Sequence, residues 1–174
     1  DGLEAQAGTE VRVAVELMID TGRRPEEICE LALDCVSRDA GGEAVLIYDN
    51  RKANRLQRRL PIGAATYAVI ERQQQRVRQR FPDIPAAELK LLPTSIKNPY
   101  GAKGMRDETV GARHRKWVDS LPEVPVPRAS TIDGKAPEPM PFDKSRMFPY
   151  AYRHTYAQRH ADAGVPIDVL RELM

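Results

Sequence analysis

The sequence predicts a mainly α fold of the α+β class, a helical bundle that carries a small three-stranded antiparallel sheet. Helical periodicity recurs over residues 9–20, 64–80 and 150–163. Between the first two stretches, short apolar and β-branched runs alternate with Asp39-Ala40-Gly41-Gly42 and Asp49-Asn50, which are turn signals of an antiparallel meander. A chain of 174 residues suffices for one substantial hydrophobic core.

Each element has its own signal. From Thr9 to Asp20, the residues Val11, Val13, Val15, Leu17, Met18 and Ile19 are too densely apolar for a surface helix, so a buried helix is expected, stopped by Thr21-Gly22. A second helix opens at Pro25, a residue suited to a first helical turn. Glu26 and Glu27 follow where the helix dipole favours acids, and the helix is expected to run to about Leu33. Strands are expected at Val36, Ala44 to Tyr48, and Leu56 to Ile62. Ala64 to Arg80 reads as a long amphipathic helix closed by Phe81-Pro82, Leu89 to Leu92 as either strand or loop, and Thr109 to Leu121 as a helix. Seven prolines between Leu121 and Pro149 rule out helix or central strand there, so residues 122–149 form a long proline-rich loop within the domain. Tyr150 to Ala163 reads as a helix stopped by Gly164, and Pro166 to Met174 opens another whose pattern is unfinished.

Composition narrows the function classes. The net charge is only +2, but the basic residues are clustered. Arg51, Lys52, Arg55, Arg58 and Arg59 crowd one short segment without an acid, Arg72, Arg76 and Arg80 share one helix face, and Arg113, Arg115 and Lys116 form a third group. Each alone also fits a solvated face; together they favour a polyanionic partner. No apolar run reaches the roughly 18 residues of a membrane helix, so no membrane partner is expected. Cys29 and Cys35 lack the spacing of a metal or redox pair, and His114, His154 and His160 lack zinc-ligand spacing. Neither a carboxylate cluster for magnesium nor a Walker-type phosphate loop is present in the sequence, so no metal is expected. The two cysteines suit a reducing, cytoplasmic setting.

Three separated segments carry a family resemblance. Thr21-Gly22-Arg23-Arg24-Pro25-Glu26-Glu27-Ile28 resembles the first arginine motif of the tyrosine recombinases, or phage integrases. By that match Arg24 is the first catalytic arginine and Glu27 its supporting carboxylate; an ordinary ion pair at a helix start is the plainer reading. Asp49 to Ile62 resembles the family's β-hairpin lysine loop, with Lys52 the catalytic lysine, Arg51 a second choice for that position, and Arg51, Arg55 and Arg58 gripping DNA. A hairpin that only grips the DNA backbone is the alternative. Tyr150-Ala151-Tyr152-Arg153-His154-Thr155, followed by Gly164 and the helix that reaches Leu173-Met174, resembles the second arginine box. Arg153 is then the second catalytic arginine, Tyr150 stands where the family usually has histidine, and His154 is expected to pack or support.

The resemblance implies a catalytic domain spanning residues 1–174 that cuts and rejoins DNA strands through a 3′-phosphotyrosine intermediate. It also implies double-stranded DNA and other recombinase protomers as partners, and no cofactor. None of the six tyrosines matches the nucleophile's position, which is expected beyond Met174. A phenol at position 150 donates a hydrogen bond readily but titrates near ~10, which suits it poorly to proton transfer. The alternative function is therefore a catalytically inactive DNA-binding protein of the same fold.

Overall fold

The computed structural model describes residues 8–126 and 139–174. Helix α1 (Thr9–Thr21) is central and packs against α2 (Pro25–Cys29), α3 (Ala64–Arg80), α4 (Asp107–Ser120) and α5 (Ala151–Asp162). Its dense apolar spacing follows from this position. Val11, Val13, Ala14, Val15, Leu17 and Met18 are all buried, because neighbours approach α1 from several sides. Truncating one of these, such as Leu17 to alanine, costs about 2–5 kcal/mol.

The sheet has the order β1-β2-β3, antiparallel throughout, with β1 (Val36–Arg38), β2 (Ala44–Asn50) and β3 (Arg55–Pro61). Val36 pairs with Leu46 and Leu46 with Leu60, which turns Leu46 and Leu60 into the core. A register shift between Tyr48 and Asn50 kinks the hairpin just before its tip. The expected fold class is therefore observed.

Helix α2 is shorter than the sequence suggests. It ends at Cys29, because Leu31 to Leu33 pair with Leu89 to Leu91 instead. The Leu33 N–H donates to the Leu89 carbonyl at 2.9 Å, and the Leu91 N–H donates to the Leu31 carbonyl at 2.9 Å. Two apolar segments thereby bury their backbones against each other, and long-range pairing overrides local helical preference. The same contact resolves Leu89 to Leu92, left between strand and loop by its sequence.

Within the proline-rich stretch, β4 (Pro125–Val126) and β5 (Met140–Pro141) form a two-residue antiparallel pair, followed by a 3₁₀ turn over Lys144–Arg146. The middle of the expected loop, 127–138, lies outside the described residues. The chain then enters α5 and, after Gly164, α6 (Ile167–Leu173), which packs on α5. Cys29 and Cys35 are buried free thiols, and burial pushes both up to about 12. Among the described residues no helix is long and apolar enough to cross a membrane.

Candidate functional site

The site is assembled at the joint between α1 and α2. Gly22 caps α1 in the left-handed conformation, φ 63°, with its N–H donating to the Met18 carbonyl at 3.0 Å. A side chain here would also collide with α5, since a Cβ on Gly22 would lie 2.5 Å from the Tyr156 ring. Glycine thus lets the α1–α2 joint and α5 touch. Arg153, one turn before Tyr156 on α5, then reaches across and donates from Nη1 to the Gly22 carbonyl at 2.8 Å.

Arg24 follows two residues later with extended backbone, immediately before α2. Glu27, in the first turn of α2, holds it twice. One carboxylate oxygen accepts from the Arg24 N–H at 2.9 Å and the other from its Nη1 at 2.9 Å. Burial disfavours the Arg24 charge, but the Glu27 carboxylate and the Tyr150 phenol outweigh it and raise the guanidinium above its ordinary value. For Arg153 the balance goes the other way. Burial, then the charges of Arg23 and Arg24, pull it down, with Glu27 and Tyr150 opposing. These mutual effects place Arg23, Arg24, Arg153, Glu27 and Tyr150 within one electrostatic neighbourhood. Glu27 pairs with Arg24, while Arg23 bonds to the Thr21 carbonyl and the Tyr48 hydroxyl and Arg153 to the Gly22 carbonyl, so the cluster carries surplus positive charge in a largely buried setting.

Arg24 also leads to the hairpin. The Asn50 side-chain oxygen lies 3.4 Å from Arg24 Nη1 and accepts from the Ala53 N–H at 3.1 Å. It therefore ties the arginine to the 3₁₀ turn over Arg51–Ala53 that carries Lys52. Lys52 is exposed and borders a shallow hollow together with Glu26, Glu27 and Arg51. The hairpin arginines Arg55 and Arg58 both face Glu172 of α6, each Nη1 at 3.5 Å from the same carboxylate oxygen. Arg51 is exposed at the tip.

Tyr150 lies at the start of α5 and is half-exposed, and His154 meets its ring edge-on at 5.4 Å between centroids. His154 is exposed, so any support it gives comes from the surface and not from a core position. The buried histidine is instead His114, whose Nε2 lies 2.7 Å from the Tyr152 hydroxyl.

Two residues in this neighbourhood escaped the sequence reading. Arg23 is 1% exposed and bonds to the Tyr48 hydroxyl, the Leu173 carbonyl and, at 3.2 Å, the Thr21 carbonyl. Its guanidinium also lies over the Tyr48 ring, 4.8 Å from the centroid. The only sequence signal was a second arginine beside Arg24, and nothing in the sequence told which of the two turns inward. Asn50 had the signal of a turn residue and no more. Among the described residues, no three His, Cys, Asp or Glu side chains gather as a metal-holding group.

No protein-family model matches the chain, and no curated protein matches it. Solved structures do match. One is the integrase of the Tn1549 transposon in complex with transposon right end DNA, 18% identical over 96% of this chain, with a TM-score of 0.56. The likeness is one of fold. The chain spans about half of that structure, 51% of its length.

Proposed function

We propose that this chain is the core of a DNA strand-transfer domain of the tyrosine-recombinase type, with the Arg24, Arg153 and Tyr150 cluster as its phosphate site. The observation that carries this reading is the charge imbalance at the α1–α2 joint, where the buried Glu27 carboxylate pairs with Arg24 while Arg23 and Arg153 bond to main-chain and hydroxyl oxygens. A phosphodiester fills that deficit. The fold it shares with a DNA-bound integrase and the three motifs in matching order favour a DNA phosphate over a free anion.

In phosphoryl transfer the protein contributes mainly placement and charge stabilisation. Arg24, held rigid by Glu27, presents a planar fork suited to nonbridging oxygens, and Arg153, anchored on Gly22, adds its positive charge beside it. Tyr150 supplies a hydroxyl donor beside Arg24. Lys52, on the turn tethered through Asn50, is the group on this reading that protonates the leaving 5′-oxygen. The attacking tyrosine forms a 3′-phosphotyrosine and releases the 5′-hydroxyl, and a 5′-hydroxyl from a second strand later reverses the step. On this reading the attacking residue lies outside the 174 residues, and the reaction runs between protomers assembled on DNA.

The natural full-length protein tests the proposal on a nicked suicide duplex. Covalent capture, seen as an SDS-resistant band, is expected, and Arg24→Ala or Arg153→Ala should each slow it by orders of magnitude. A second reading, a DNA-binding protein without catalysis, draws on Tyr150 standing where the family has histidine. It predicts DNA binding with no covalent band.

A further inference from the structure

The last turn of α6 ends against basic side chains drawn from three distant parts of the chain. Arg58 on β3 donates from Nη2 to the Glu172 carbonyl at 2.6 Å, Arg23 bonds to the Leu173 carbonyl, and Arg153 bonds to the Met174 carbonyl. The Glu172 side chain adds a formal charge. One carboxylate oxygen lies 3.5 Å from Nη1 of Arg55 and 3.5 Å from Nη1 of Arg58. The segment from Arg51 to Arg59 contains five basic residues and no acid, and this carboxylate from α6 is a counter-ion that Arg55 and Arg58 take from elsewhere in the chain.

These pairs are displaceable. At 3.5 Å they are longer than close charge-assisted bonds, and the Glu172 and Arg55 side chains are 69% and 50% exposed. A carboxylate also presents to a guanidinium fork much the same pair of oxygens that a phosphate does. We infer that Glu172 is an intramolecular competitor for phosphate at Arg55 and Arg58, so that docking of the α6 end on the hairpin and gripping of a DNA backbone by the hairpin oppose each other. This inference rests on the DNA reading above and adds to it a brake built into the same surface.

The test is binding of a fluorescently labelled duplex across a salt series by this chain and by its Glu172→Gln variant. Glutamine keeps the shape and removes the charge. Asp83→Asn, at an exposed acid away from the hairpin, controls for net charge. The inference expects Glu172→Gln to tighten binding about 2–5-fold at low salt, the scale of an exposed ion pair. It also expects a log–log salt slope steeper by about 1–2, because each phosphate contact contributes roughly 0.9. The gain should vanish when Arg55 and Arg58 are both changed to glutamine. Binding by the parent chain that Glu172→Gln alters no more than Asp83→Asn does would overturn the competition and leave the DNA reading standing. Failure of both proteins to bind at low salt would overturn the two together.

Discussion

Arg153 and Gly22 are 131 residues apart in sequence, yet the Arg153 guanidinium donates to the Gly22 carbonyl at 2.8 Å. That bond holds α5 against the α1–α2 joint. It depends on a glycine that has no room for a side chain, since a Cβ there would meet the Tyr156 ring at 2.5 Å. Gly22→Ala should therefore cost about 2–3 kcal/mol, combining left-handed backbone strain with overpacking. Urea denaturation measures it. A loss below about 0.5 kcal/mol would show that α5 yields easily and that the joint is not rigid.

Tyr48→Phe probes the inward-turned arginine. The phenol accepts a bond from Arg23, which is 1% exposed, and removing the hydroxyl leaves a buried N–H without that partner. The expected loss is about 1–3 kcal/mol in chemical denaturation, above what removing a single surface hydroxyl would cause.

The pH dependence of stability should carry the signature of His114. Burial, with the charge of Arg115 adding to it, lowers this histidine from its ordinary value to about 4. The unfolded chain takes up its proton near ~6.5 and the folded chain only near 4, so between those values the unfolded state binds more protons. Stability is thus complete above about pH 6.5 and falls as the pH drops towards 4, by on the order of 3 kcal/mol from this one group. Thermal melts between pH 7 and 4, with His114→Gln for comparison, check this. A variant that melts with the same pH dependence as the parent would assign the effect elsewhere.

Local chemistry made most of the fold legible in the sequence. The glycine stop after α1, the proline start of α2, the turn residues between strands and the proline-rich stretch act through backbone conformation and need no tertiary partner. The pairing of Leu31–Leu33 with Leu89–Leu91 was not legible, because an apolar run reads alike as helix or strand until its distant partner is known. At the site, Arg24 and Glu27 were readable as neighbours three residues apart. The inward turn of Arg23 and the bridging of Arg55 and Arg58 by Glu172 depend on contacts across more than a hundred residues, which no spacing rule encodes.

The salt dependence of duplex binding distinguishes whether Arg24 and Arg153 serve one DNA phosphate, as proposed, or two. The parent chain, Arg24→Gln, Arg153→Gln and the double variant would be compared by fluorescence anisotropy, each first shown to be folded by circular dichroism. Each single change should weaken binding and flatten the log–log salt slope by up to about 0.9, and the double variant should lose little more than either single one, since both side chains act on the same phosphate. Fully additive losses in the double variant, or binding that neither single change alters, would contradict the shared site.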